Sequence, residues 1–240
     1  MRATAEDRKR RETLRYMGYR GQELSPETER VLDSVLAEAS RVSCPRAVSG
    51  RYPLIRTKEG IVLEGTTLLL TGRDIESHLE GAAYAILFAV TLGAASERAL
   101  LTWEKKDLSR AIMLDAALSA EIEAAVDEYE RGLVCEAQKD GFYTNWRFSP
   151  VYGDLPLTLQ RTVGQVLNFP RTIGVTVTEH SLMIPRKTVT AVIGCFEEKA
   201  AVTGKVRSCA ECVLKGDCEF TRWGETCRRK QPEEDTTTYA

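Results

Sequence analysis

Residues 82–92 read AAYAILFAVTL, and the fold turns on whether they form a strand or a helix. The run is apolar without a clean period, so its pattern alone does not separate a buried strand from a buried helix. Its neighbours favour a strand. Upstream, short apolar runs at 52–55, 61–63 and 67–71 are broken by Lys58-Glu59-Gly60 and Glu64-Gly65, which suit tight turns and therefore antiparallel strands. Downstream, TIGVTVTE (172–179) and KTVTAVIGCF (187–196) alternate well enough to be expected as a β pair. Residues 82–92 then make a central strand.

The helices lie apart from these strands. Ser25-Pro26-Glu27 supplies an N-cap, a first-turn proline and an early acid, and Val31, Leu32, Val35, Leu36 and Ala39 follow at helical spacing, predicting a helix over 26–41. Residues 107–139 are rich in Ala, Leu and Glu, with Leu108, Ile112, Ile122, Val126, Tyr129 and Leu133 near one face. They predict one long helix, or two that meet near Asp115. Residues 146–152 read as extended and 156–168 as helical. Segregated strands and helices imply an α+β fold, an antiparallel twisted sheet with flanking helices.

The 240 residues, 43% apolar and 28% charged, have ordinary globular composition. A formal net charge of −2 gives no basic field for nucleic acid, and RKRRETLR (8–15) reads as a solvated helix face. No apolar run reaches the length of a bilayer span, and the charged N-terminus has no signal-peptide core, so a cytoplasmic location without membrane contact is expected. Seven cysteines are present. Cys44, Cys135 and Cys195 fall in or beside apolar stretches and are expected as small core residues. Cys209, Cys212, Cys218 and Cys227 have the spacing of a thiolate set for zinc or an iron–sulfur cluster, against a reading as free thiols. The segment 206–240 is thus a Cys-rich region ending in a tail, from 230, expected to be disordered.

The stretch RFSPVYGD (147–154) holds the candidate site. An arginine presents a planar fork of donors that fits a carboxylate, Pro150 fixes the backbone, Tyr152 offers a π face to a cation, and Gly153 lets the backbone approach a bound molecule. The bland alternative is a strand ending in a Pro/Gly turn. His78, in ESHLEG, is expected at the surface, and His180 has no visible partner. With two histidines and no Ser-His or Cys-His arrangement, hydrolytic acid–base chemistry has little support.

Together with TEHSLMIPRKTVTAVIG (178–194), this stretch resembles the activation domain of vitamin B12-dependent methionine synthase. Arg147, Pro150 and Tyr152 match its Arg-x-x-Pro-Gly-Tyr run, and Thr178, Glu179, Met183 and Pro185 match the later Thr-Glu-x-x-Met-x-Pro. The likeness extends through RYMGYRG (15–21) and VTLG (90–93). It implies an activation-domain-like, S-adenosylmethionine-binding domain over 1–205, with a helical part over about 1–45. By resemblance Arg147 holds the ligand carboxylate, Tyr152 lies near the sulfonium, and the Ser149 backbone touches the ligand, with Pro150, Gly153 and Glu179 supporting the pocket. Cobalamin would belong to a partner, a corrinoid-binding protein or the cobalamin-dependent methionine synthase, and the chain would support its reductive methylation. The rival readings are an iron–sulfur redox activator of a corrinoid methyltransferase and a ligand-free docking module for a corrinoid protein. Val151 replaces the family glycine, and a β-branched residue tolerates positive φ poorly, so the turn is expected to be rearranged or the ligand held differently. Asp115, Glu121 and Glu123 lie in the region of the family's acidic ligand contacts, but read on their own as a solvated helix face.

Overall fold

A computed structural model describes residues 4–203. The chain divides into Met1–Thr203 and Gly204–Ala240, and the second unit, with Cys209, Cys212, Cys218, Cys227 and the expected tail, lies outside the described residues.

Helix α1 (Ala5–Tyr16) opens on a capping box between Thr4 and Asp7, and α2 (Pro26–Val42) on Ser25, whose hydroxyl accepts from the Thr28 N–H. Strands β1 (Arg46–Arg56), β2 (Ile61–Leu63) and β3 (Leu69–Leu70) follow, then the short α3 (Arg73–His78), β4 (Tyr84–Thr91), α4 (Ala94–Lys106) and α5 (Leu108–Lys139). After β5 (Tyr143–Thr144) come α6 (Leu159–Val166), α7 (Phe169–Thr172), β6 (Thr176–Val177), β7 (Met183–Ile184) and β8 (Thr188–Phe196). Six strands form one antiparallel sheet in the order β3-β2-β1-β4-β8-β5.

Residues 82–92 lack a period because β4 is covered on both sides. Ile86, Phe88 and Val90 face Leu114, Leu118 and Ile122 of α5 and Val35 of α2. Ala85, Leu87 and Ala89 face the second core, with Ile75 and Leu79 around α3 and Val163 and Phe169 of α6 and α7. A strand between two apolar layers has no polar face, so alternation disappears. Phe88 and Ile86 are fully buried, a class of side chain that contributes about 1.5–3 kcal/mol each.

Several expectations are corrected. Segment 107–139 is one helix, yet Leu108 and Ile112 are 65% and 58% exposed. Its buried stripe begins with Ala111 and Leu114 and continues through Leu118 to the expected Ile122, Val126 and Leu133. TIGVTVTE and KTVTAVIGCF do not pair with each other. β6 pairs with β7 in a local ribbon and β8 pairs with β4. Ser181, at φ 63°, and the Thr178 N–H bond to the Leu182 carbonyl (2.8 Å) close that ribbon inside the segment. Only Cys195 is a core residue among the described cysteines. Cys44 and Cys135 are exposed, Cys44 just past the end of α2 and Cys135 off the stripe marked by Leu133 and Ala137. No helix among the described residues is long and apolar enough to cross a membrane.

Candidate functional site

Residues 145–148 run along the outer edge of β8. The Asn145 N–H bonds the Gly194 carbonyl (3.2 Å), and Phe148 exchanges both backbone bonds with Val192 at 2.8 Å. Asn145, 6% exposed, anchors this segment twice more, its amide donating to the His78 carbonyl (2.6 Å) while its side-chain oxygen accepts from the Gly194 N–H (2.8 Å).

Arg147 points to the α5 side of the sheet. Its guanidinium donates to Asp127 (2.8 Å), to Glu123 (3.0 Å) and, at close range, to Glu130. The three carboxylates sit at i, i+4 and i+7 of α5, one face of the helix. Arg147 is 18% exposed at its side chain and Glu123 and Asp127 about a third, so the cluster borders solvent. Among the described residues three carboxylates thus surround one guanidinium. Among the described residues no group of His, Cys, Asp and Glu is arranged to hold a metal ion.

Trp146 and Phe148 point the other way, onto His78. Ring centroids lie 4.8 Å (His78–Trp146), 5.0 Å (His78–Phe148) and 5.4 Å (Trp146–Phe148) apart. His78 is therefore not a surface histidine. It is 2% exposed, closes α3 and faces inward beside Ile75 and Leu79. Neither ring nitrogen makes a hydrogen bond. Burial pushes its pKa down to about 4. The ring is a neutral packing element at pH 7.

At Ser149 the chain turns. The Tyr152 N–H bonds the Ser149 carbonyl (3.0 Å), with Pro150 and Val151 at the two central positions and Val151 at φ 73°. A positive φ at the second central residue marks a type II turn, normally a glycine position. Val151 adopts that positive φ itself and carries the strain with its side chain 67% exposed. Asp154 then docks the loop on α3, accepting from the Arg73 (2.7 Å) and Asp74 (3.2 Å) N–H groups of a helix that has no side-chain cap of its own. Burial pushes the Asp154 carboxyl up, but these two N–H bonds outweigh it and hold it below the usual range. Gly153 is required here, since a Cβ would fall 1.9 Å from the Asp74 carboxylate.

Tyr152 ends the aromatic row, 50% exposed, with ring centroids 6.0 Å from Phe148 and 6.4 Å from Trp146. The structure thus brings Arg147, Ser149, Pro150, Tyr152 and Gly153 into one loop. Glu179 stands elsewhere, at the tip of the β6–β7 ribbon, its side chain 81% exposed and paired with His180 at 3.5 Å. His180 accordingly has a partner. Of the acids on α5, Asp115 binds Lys187 (2.8 Å), Glu121 binds Lys9 of α1 (2.6 Å) and Glu123 binds Arg147, so this is not a solvated face. Glu130, Asp127, Asn145 and Asp154 carry the geometry and were not singled out by sequence as partners. The 123-127-130 spacing was the available signal. A groove of about 430 Å³ lies on the opposite flank of α5, lined by Ala47, Ser49, Tyr129 and Gly132 among others, and contains none of the motif residues.

An antiparallel sheet with helices on both faces defines an α+β domain. Among solved structures with this fold is the crystal structure of the MetH reactivation domain bound to AdoHcy, which matches over 85% of this chain and 78% of its own length, at a TM-score of 0.56 and 18% identity. No family model matches the chain. No curated protein matches it either.

Proposed function

We propose that this protein binds S-adenosylmethionine at the Arg147–Tyr152 turn and supports the reductive methylation of a corrinoid held by a partner, such as a cobalamin-dependent methionine synthase. The observation that carries the reading is the mixed charge of the site. A guanidinium among three carboxylates, beside an exposed tyrosine ring, is complementary to a ligand that brings a carboxylate together with positive charge. S-adenosylmethionine has a carboxylate, an ammonium and a sulfonium. The fold neighbour was crystallised with AdoHcy, the same molecule without its transferable methyl group.

Bound S-adenosylmethionine supplies the sulfonium methyl group, and the partner's reduced corrinoid supplies the nucleophile. The chain's own share is position and charge. Arg147 exchanges one or two of its present carboxylate partners for that of the ligand, and the carboxylates so released, Glu123 and Asp127, receive the ammonium. The exchange conserves ion pairs, so the ligand is not opposed by a stranded buried charge. Tyr152 turns its π face to the sulfonium, and the Ser149 backbone, fixed by Pro150, lines the approach. No side chain has to move a proton, which agrees with a site that holds no titrating histidine. Alignment of a methyl donor with its acceptor contributes as much as about 7–11 kcal/mol in favourable systems.

Isothermal titration of the full chain with S-adenosylmethionine tests this. Saturable binding that Arg147→Ala weakens at least tenfold supports it. Absence of binding, or equal binding by the variant, removes the ligand assignment.

A further inference from the structure

Beside the groove on the far flank of α5 the sheet has an open edge. Residues 46–52 of β1 pair with β4 on one side. On the other side β2 meets the strand only from the Pro53 carbonyl, which accepts from the Glu64 N–H (2.9 Å). The N–H and C=O of one residue point to the same side of a strand, and that side alternates along it. Since Pro53 faces β2, the backbone groups of Arg51, Ser49 and Ala47 face the open edge. Among the described residues no backbone bond takes them up. The same three residues turn their side chains to α5. The Ser49 hydroxyl accepts from Tyr129 (3.0 Å), Arg51 pairs with Glu136 (3.6 Å), and Ala47 lines the groove of about 430 Å³. Small residues make that groove, Ala47 and Ser49 on the strand and Ala125 and Gly132 on the helix. A Cβ on Gly132 would meet nothing within 4 Å. At the head of the edge stands Arg46, exposed, its guanidinium in no ion pair or hydrogen bond among the described residues.

We infer that this edge docks an extended acidic segment of a partner protein, which joins the sheet as a strand along residues 46–52, turns large apolar side chains into the groove and sets a carboxylate on Arg46. The edge supplies main-chain hydrogen bonds, and the groove reads alternate side chains. Residues opposite one another across a strand pair share a face, so the partner's residues across from Ala47 and Ser49 point into the groove, where those two leave room. Every pairing in the sheet is antiparallel, and an antiparallel addition continues it over about 20 Å. The residue after the last groove-facing side chain then lies across from Arg46, the position for the acid. A second copy of this edge does not meet that need, because residues 46–52, RAVSGRY, bring two arginines and no carboxylate. The site is separate from the Arg147 turn, and its test does not depend on S-adenosylmethionine.

The test is fluorescence anisotropy of the full chain with the peptide acetyl-Lys-Leu-Thr-Leu-Thr-Leu-Asp-amide, labelled on its lysine. The parent binds it saturably, and amide exchange slows at Ala47, Ser49 and Arg51. Methylating the three leucine backbone nitrogens, which face the edge, removes binding, whereas methylating the two threonine nitrogens spares it. Gly132→Leu, which fills the groove, weakens binding roughly tenfold. Arg46→Glu, an exposed change that leaves the fold alone, weakens it by about fivefold and prefers the peptide that ends in lysine. No saturable binding by the parent, or equal binding of the leucine-methylated peptide, overturns the site. Equal affinity of parent and Arg46→Glu for both peptide ends overturns the acidic partner. A chain that dimerises on its own in sedimentation, with dimers lost in Gly132→Leu, names a second copy as the occupant and overturns the partner reading.

Discussion

Residues 146–148 show two chemistries across one backbone. Toward α5, Arg147 is held by carboxylates at the edge of solvent, contacts that a charged ligand can take over by exchange of ion pairs. Toward α3, Trp146 and Phe148 close over an imidazole whose ring nitrogens make no geometric hydrogen bond, contacts that nothing replaces. The difference teaches a division of labour: the aromatic side fixes where the strand end lies, and the ionic side is left exchangeable. Asn145 and Asp154 belong to the fixing side, tying the strand edge to the His78 carbonyl and the turn to the first turn of α3.

Four measurements press on that contrast. The largest effect is expected at Arg147. Its replacement by alanine leaves Glu123, Asp127 and Glu130 facing one another and lowers unfolding free energy at pH 7 by about 3 kcal/mol. Urea titration repeated at high salt should recover part of that loss, because salt screens the repulsion among the carboxylates. An equal loss at low and high salt would make Arg147 a packing residue.

His78 comes next. Its folded pKa of about 4 lies below the ordinary 6.5, so as pH falls through 6.5 the unfolded chain takes up a proton that the folded chain refuses. Stability contributed by the neutral ring is complete above that window and is lost on descent toward pH 4. Between pH 7 and 5 the loss is about 2 kcal/mol, from roughly 1.4 kcal/mol per unit. Substituting His78→Phe should flatten this part of the pH–stability curve, and a curve of unchanged slope would place the titration elsewhere.

Val151 gives a smaller effect of opposite sign. Its left-handed backbone costs roughly 1–2 kcal/mol, and glycine gives back about 0.5–1 kcal/mol through its freer unfolded state. Val151→Gly should therefore stabilise the chain by about 1 kcal/mol, seen as a rise in melting temperature. A fall would show that the exposed valine makes a contact worth more than its strain. Smallest is Arg131→Ala, which removes an exposed pair with Glu128 and should change stability by less than about 0.5 kcal/mol. It sets the scale for an ion pair outside the cluster.

Much of the fold was legible because its signals are local. The caps of α2, the turn glycines around β2, and the run of β4 each announce their element. What escaped was set by tertiary partners. The length of 172–196 allowed its two alternating stretches to face each other, but a turn at Ser181 closed the first on Met183 and freed β8 for β4. The large apolar residues of 107–139 marked the buried face at Ile122, Val126 and Leu133, yet at its start that face passes through Ala111 and Leu114 and leaves Leu108 and Ile112 exposed. The site was half legible. Arg147, Pro150 and Tyr152 stand in one contiguous stretch, whereas Glu123, Asp127 and Glu130 become its partners only when α5 crosses the sheet edge. His78 misled because a histidine flanked by acids in ESHLEG looks solvated, and only the short α3 turns it inward.

Among the described residues the first half of β1 pairs on one side only: residues 46–52 pair with β4, and from the Pro53 carbonyl, which accepts from the Glu64 N–H (2.9 Å), the second edge is taken up toward β2. Unmatched backbone on a strand edge invites other chains to join, and here Arg46 and Arg51 stand along that edge, a residue type that makes such joining unfavourable. Solubility at high concentration accordingly depends on two arginines far from the Arg147 turn, and replacing both with valine should turn clear solutions turbid before any change in melting temperature.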